Sequence, residues 1–209
     1  ADMYLAFSRF FLMPLLFLIS GLFVWPSVSR KGVRLYIRDR VIRLGVPFIF
    51  FLIVCSPLAY VPPYLLTGGD PSVSAYAHTW FSLTVWPSGP SWFLWVLFAF
   101  DLLVVGAYVI RRVWRRAASV CVARLVAHDP DVLMGLFIAI TALAYIPMQM
   151  MFDPDLWVSF GPFAVQISRV SLYACYFVAG VALGVIVQRT DARSLQELFV
   201  RRWPLWVAL

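Results

Sequence analysis

One apolar stretch decides the fold: Trp92-Phe-Leu-Trp-Val-Leu-Phe-Ala-Phe-Asp-Leu-Leu-Val-Val-Gly-Ala-Tyr-Val-Ile110. It contains no Lys or Arg, and Asp101 is its only charged residue. Because an α-helix rises ~1.5 Å per residue, a helix over this stretch is about as long as the hydrocarbon core of a bilayer is thick, ~30 Å. The stretch therefore predicts a transmembrane helix with one carboxyl group near its middle.

Four further apolar runs predict spans of the same kind, at residues 3–25, 45–66, 132–152 and 170–187. All the runs are continuous, whereas the strands of a transmembrane barrel alternate between apolar and polar residues. Of the 209 residues, 63% are hydrophobic and 13% are charged, which excludes a soluble enzyme, a disordered tail and a disulfide-rich secreted module. We predict an all-α polytopic transmembrane helix bundle with five complete spans and the start of a sixth after Pro204.

The basic residues indicate the orientation of these spans. Apart from Arg9 and Arg169, all of the 17 Lys and Arg residues fall in three segments, residues 26–44, 111–131 and 188–203. The positive-inside rule places these segments in the cytoplasm and the N-terminus of the chain outside. The net charge of +7 is therefore an orientation signal, and we expect a lipid bilayer rather than nucleic acid as the partner.

The first basic segment carries an arginine pair that anchoring alone does not require. If the segment is helical, Arg40 and Arg43 lie ~60° apart on a face roughly opposite to that of Arg34 and Arg38. Two guanidinium groups at this spacing suit phosphate oxygens. Two interpretations remain open at this point: contacts with lipid headgroups, or a cytoplasmic site for a phosphorylated or anionic cofactor.

Asp101 and Arg9 are charged residues within predicted spans. A carboxyl group near the midplane is costly and usually faces a bundle interior, a cavity or a partner, so Asp101 either hydrogen-bonds to a neighbouring helix or lines a polar tunnel. Arg9 either extends to the outer interface or belongs to a polar site there. The cysteines show no metal-ligand spacing and no HExxH motif occurs, so we expect no bound metal.

Four motifs resemble those of the acyltransferase family 3 membrane proteins, in the same order. The run Met13-Pro-Leu-Leu-Phe-Leu-Ile-Ser-Gly21 is similar to the second-helix signature, which ends in Phe-x-Ile-Ser-Gly. The run Arg40-Val-Ile-Arg-Leu-Gly-Val-Pro47 resembles the Arg-x-x-Arg motif before a Pro-led helix. The later motifs are Gly89-Pro-Ser-Trp-Phe-Leu94, similar to a Trp-Phe-Leu helix opening, and Tyr176-Phe-Val-Ala-Gly180, similar to a Phe-x-x-Gly helix. The resemblance covers about residues 7–187.

This resemblance implies a multi-pass O-acyltransferase of the bacterial inner (plasma) membrane. It implies acyl-CoA as the cytoplasmic donor substrate and a hydroxyl group of a carbohydrate or cell-envelope glycan as the acceptor, with acetyl as a common acyl group. Residues 1–209 would then form part of one membrane domain that lacks its first and last helices. The catalytic His of the family has no counterpart here, because the helix that carries it would precede residue 1. We therefore leave the catalytic residue unknown and expect this piece alone to be inactive.

The resemblance also assigns roles to individual residues. Arg40 and Arg43 match the functional arginine pair of the family and would hold the acyl-CoA. Trp92 would lie at the site or its tunnel. Asp101 and Arg9 match none of the four motifs and are further candidates because they are charged residues within predicted spans. Small residues allow helices to approach closely in a membrane, so we expect helix-packing roles for three of them: Ser20, Gly21 and Gly180.

Two other functions remain as alternatives. A multi-pass transporter or flippase would also explain Asp101, Arg9 and the prolines within spans, but the sequence shows no repeat with matching broken helices. A non-catalytic membrane scaffold or sensor would use the arginines only as anchors. The sequence upstream of residue 1 would distinguish these hypotheses. An apolar span there that contains a His and is flanked by Arg favours the enzyme.

The predicted orientation can be tested by cysteine labelling of intact cells. In a background without the native cysteines, we expect Ser88→Cys to react with a membrane-impermeant thiol reagent from outside. Ser119→Cys should react only after permeabilisation, because residues 111–131 are predicted to be cytoplasmic. Labelling of Ser119→Cys in intact cells would contradict the orientation.

Overall fold

The computed structural model describes residues 12–87, 89–110, 130–153 and 156–189. Its main helices follow in chain order: α1 (Met13–Lys31), α2 (Val33–Leu66), α3 (Val73–Ser82), α4 (Trp92–Ile110), α5 (Pro130–Met151) and α6 (Ile167–Arg189). A short antiparallel hairpin of β1 (Trp157–Phe160) and β2 (Phe163–Gln166) precedes α6. A single turn of 3₁₀ helix, Gly89–Ser91, leads into α4.

Within the described residues, five helical segments are long and apolar enough to cross a membrane: Met13–Lys31, Val33–Leu66, Gly89–Val109, Met134–Met151 and Ile167–Gln188. The predicted all-α polytopic bundle with five spans is therefore confirmed. The expected start of a sixth span after Pro204 lies outside the described residues, as does Arg9.

The basic segment 26–44, which lies between two predicted spans, is almost entirely helical. Helix α1 continues to Lys31 and α2 begins at Val33, so Gly32 alone separates them. The backbone of Gly32 has φ +80°, a left-handed conformation that favours glycine. Arg and Lys are good helix formers, so the two spans extend as helices beyond their apolar parts.

Helix α2 contains two π-helical turns, at Val41–Gly45 and Phe51–Cys55. Pro47 and Pro57 each follow one of these turns by two residues. A proline ring clashes with the carbonyl group four residues earlier and donates no hydrogen bond to it, so the preceding turn widens. The first wide turn begins directly after Arg40 and contains Arg43.

Helices α1 and α6 form the most extensive helix–helix contact in the described part of the bundle. The rings of Phe17 and Tyr173 stack with their centroids 4.8 Å apart. A Cβ atom built on Gly180 would overlap the carbonyl oxygen of Leu18, and one on Gly21 would overlap that of Phe177. Small residues at a membrane helix interface permit this backbone contact. Because lipid provides no hydrophobic driving force between helices, dispersion attraction between the closely packed atoms stabilises the contact.

The close contact predicts that α1 and α6 tolerate no added methyl group at Gly180. We expect Gly180→Ala to destabilise the protein by about 1–3 kcal/mol, the usual cost of overpacking. Gly106→Ala on α4 is the matched control, because a Cβ atom there meets nothing within 4 Å. Thermal unfolding in detergent measures both variants. If Gly180→Ala unfolds at the same temperature as Gly106→Ala, the backbone contact is not required.

Candidate functional site

Asp101 lies inside the bundle, where its carboxylate meets two side chains of α2. Its exposed fraction is 1%. The Tyr36 hydroxyl donates a hydrogen bond of 2.7 Å to Asp101 Oδ1. Arg40 Nε lies 3.2 Å from Asp101 Oδ2, and it donates a hydrogen bond of 2.9 Å to the Tyr36 hydroxyl oxygen. We name these three residues the Asp101 link.

The helical spacing of α2 explains why Tyr36 and Arg40 reach the same carboxylate. Residues four apart lie one above the other on one face of a helix. The Arg40 guanidinium carbon also lies 5.1 Å from the centre of the Tyr36 ring, a cation–π distance. Arg40 Nη2 lies 3.5 Å from the Ser20 carbonyl oxygen on α1. One guanidinium group therefore contacts α1, α2 and α4.

The Asp101 link satisfies an electrostatic requirement. A buried carboxylate without a partner is expensive, and removal of one member of a buried ion pair costs about 3–5 kcal/mol. The Tyr36 hydroxyl acts as donor to Asp101 and acceptor from Arg40, so its hydrogen-bonding capacity is used on both sides. The charges of Asp101 and Arg40 thus oppose each other, and the Tyr36 hydroxyl hydrogen-bonds to both side chains.

A cavity of about 310 Å³ lies next to the Asp101 link. Its walls come from the end of α1 and the start of α2, on either side of Gly32. Most of its polar side chains are charged, and the lining includes Arg30, Lys31, Tyr36, Asp39, Arg40 and Arg43. A second cavity of about 600 Å³ shares Phe23, Ser27 and Arg30 with the first. We name the first one the basic cavity.

The cations of the basic cavity fall into two groups. Lys31 forms an ion pair with Asp39, and Arg40 forms one with Asp101. Arg30 and Arg43 are exposed, and neither forms an ion pair with any residue in the four described ranges. Their charge therefore remains available for an anionic ligand, to which a guanidinium group can donate two parallel hydrogen bonds.

The structure thus brings together three of the residues that the sequence singled out: Arg40, Arg43 and Asp101. Trp92 lies elsewhere, nine residues before Asp101 on α4 and about 14 Å away along the helix axis. It is buried, with its ring centroid 5.6 Å from those of Trp157 and Tyr173. Trp92 therefore packs against aromatic rings and takes no part in the basic cavity.

Ser20 enters the site through its backbone, since its carbonyl oxygen is within reach of Arg40. Gly21 and Gly180 lie in the close contact between α1 and α6. The sequence reasoning missed Tyr36 as a site residue. Its position four residues before Arg40, combined with a midplane carboxylate that needs donors, was the signal that could have identified it.

The segment between α2 and α4 holds few ionisable groups. The Ser72 backbone N–H donates a 2.8 Å hydrogen bond to Asp70 Oδ1, which lowers the pKa of the Asp70 carboxyl. The Ser72 hydroxyl accepts a hydrogen bond from the Ala75 backbone N–H and so caps α3. His78 is exposed on α3. In the part of the chain that the structure describes, no group of His, Cys, Asp and Glu residues could hold a metal ion.

Comparison with known proteins identifies one family. The family model Acyl_transf_3, described as an acyltransferase domain, matches residues 1–209. No curated protein and no solved structure matches the chain at a significant level.

The Asp101 link predicts a stability cost for the loss of a single hydroxyl group. We expect Tyr36→Phe to destabilise the protein by about 1–3 kcal/mol, because it leaves Asp101 without a buried hydrogen-bond donor. Tyr60→Phe, at the other end of α2, keeps its ring contacts with Tyr76 and Trp80 and serves as the matched control. Thermal unfolding in detergent compares the two. Equal unfolding temperatures would show that the link does not stabilise the bundle.

Proposed function

The chain belongs to this family of acyltransferases, and we propose that the complete protein transfers an acyl group, acetyl or similar, from acyl-CoA to a hydroxyl group of a carbohydrate or cell-envelope glycan. The family supports a membrane acyltransferase in general.

The basic cavity is the observation that carries this proposal. Coenzyme A bears several negatively charged phosphate groups, and guanidinium groups bind phosphate oxygens through paired, charge-assisted hydrogen bonds. Arg40 and Arg43 line one cavity beside the break at Gly32, with Arg30 and Lys31 adding positive charge. We therefore assign the acyl-CoA site to this cavity, with Arg40 and Arg43 as its binding residues.

The predicted orientation of the chain in the membrane agrees with acyl-CoA as the donor. The cavity lies within the basic segment 26–44, which the positive-inside rule places in the cytoplasm, where acyl-CoA is found. Segment 67–91 would then face outward, towards the acceptor. We propose this orientation and a location in the bacterial inner membrane.

The chemistry that we propose is a direct acyl transfer. A general base removes the proton of the acceptor hydroxyl as its oxygen attacks the thioester carbonyl carbon. The carbon–sulfur bond then breaks, and the thiol of coenzyme A leaves with a proton. The arginines hold the donor through its phosphates and thereby fix the position of the thioester. We expect a His to act as the base, so neither Arg40 nor Arg43 is assigned a proton-transfer role.

The proposed donor site predicts a loss of activity on removal of one cation. In the complete protein, we expect Arg43→Ala to abolish acyl transfer while membrane insertion remains intact, because the exposed Arg43 side chain supplies phosphate contacts. Glycan acylation in cells, together with the amount of protein in isolated membranes, measures both effects.

Arg34→Ala is the matched control for this experiment. It removes the same charge from the same helix, but Arg34 does not line the basic cavity. We expect its acylation level to match that of the wild type. Unchanged acylation in the Arg43→Ala variant would refute the donor-site assignment, and equal losses in both variants would indicate that only the total positive charge of the segment matters.

A further inference from the structure

The two arginines of the basic cavity are not in equivalent surroundings, although the sequence presents them as a pair. The Arg40 side chain is 16% exposed and its charge is opposed by Asp101, which is 1% exposed. Arg43 is exposed, in the π-helical turn that follows. A phosphate group that enters the cavity would have to compete with a buried carboxylate for Arg40. The carboxylate one helical turn from Arg43 is that of Asp39, which is partly exposed and already paired with Lys31.

Arg40 is also restrained geometrically. It donates to the Tyr36 hydroxyl, lies over the Tyr36 ring, and reaches the Ser20 carbonyl oxygen on α1. These contacts direct the guanidinium group towards α1 and α4, where Asp101 holds it. The same contacts connect the helices that form the walls of the cavity. A side chain with this many partners orders its surroundings more readily than it binds a new ligand.

We propose that Asp101 is a positioning residue of the donor site: through Arg40 and Tyr36 it fixes the cavity wall, and Arg43, with Arg30, supplies the direct contacts to the phosphates of the donor. This division of roles rests on the proposed function and refines its assignment of Arg40, which shapes the wall of the donor site while Arg43 binds the donor directly. It assigns Asp101, which matches no motif of the sequence, to the donor site although its carboxylate touches no substrate.

The roles of Asp101 and Arg43 differ in what they should do to the kinetics. Without the carboxylate, Arg40 loses its restraint and remains a cation near the cavity, so donor affinity persists while the geometry for reaction is lost. Replacement of Arg43 by lysine keeps the charge but removes the planar fork that matches phosphate. Asp101 should therefore act on kcat, and Arg43 on the KM for the donor.

The test measures initial rates of the complete protein in detergent, with acetyl-CoA as the varied donor. We expect Asp101→Asn to lower kcat about tenfold and to leave the KM for acetyl-CoA within about twofold of the wild type. Asp101→Glu should recover part of the lost kcat, because it restores the ion pair. Arg43→Lys should raise KM about tenfold with little change in kcat. Asp70→Asn, an exposed Asp outside the cavity, is the matched control and should behave as the wild type.

A double-mutant cycle separates positioning through Arg40 from a general effect on folding. If Asp101 acts by holding Arg40, then Asp101→Asn combined with Arg40→Gln should lower kcat no further than Arg40→Gln alone. The effects of Asp101→Asn and Arg43→Lys should multiply instead. Additive effects of Asp101→Asn and Arg40→Gln would overturn the proposal.

Three further outcomes are decisive. Should Asp101→Asn fail to yield folded protein, Tyr36→Phe tests the same link with both charges in place, and it should lower kcat without raising KM. A rise in KM with unchanged kcat in that variant overturns the positioning role. If wild-type protein binds no acetyl-CoA by calorimetry and transfers no acetyl group, the proposed donor site fails and this proposal fails with it. If the wild type binds and reacts while Asp101→Asn has wild-type kcat, only the positioning role is refuted.

Discussion

A carboxylate in the middle of an apolar helix must be paired, and this constraint organises the described bundle. Asp101 reaches Arg40 and Tyr36 on α2, and Arg40 in turn reaches the backbone of Ser20 on α1. Because each of these polar groups is costly to bury alone, the three helices are tied together at one depth. The basic cavity lies beside this point, so the walls of the proposed donor site are held by the same interactions that stabilise the bundle.

The second constraint is the absence of a strong hydrophobic force between helices within lipid. Helices α1 and α6 compensate by direct backbone contact at Gly21, Gly180 and Gly184, where any Cβ atom would overlap a carbonyl oxygen of the partner helix. This contact places α1, and with it the Ser20 carbonyl group, at a defined position. Helix α1 therefore takes part in both contacts. It packs against α6 at the glycines, and its Ser20 carbonyl group contacts Arg40 of the Asp101 link.

The proposed chemistry follows from how charge is distributed around the cavity. Arg40 and Lys31 are balanced by carboxylates, while Arg30 and Arg43 are exposed without an ion pair among the described residues. The charges of Arg30 and Arg43 suit a polyanionic donor. The ion pairs of Arg40 and Lys31 restrain these side chains and so suit a rigid cavity wall. Membership of the acyltransferase family agrees with a donor of this kind.

The apolar runs alone determined the all-α membrane fold and its five spans, because any backbone inside a bilayer must satisfy its hydrogen bonds within a helix. The sequence also singled out Arg40, Arg43 and Asp101, since charge in or next to an apolar run is rare and costly. The sequence left open whether segment 26–44 is helical, and it did not reveal the break at Gly32 or that Tyr36 belongs to the site. Only the tertiary structure decided that Arg40 pairs with Asp101 and Arg43 does not, because the partner of a charge depends on which helices are neighbours, and residues 61 positions apart in the chain meet only after the bundle has formed.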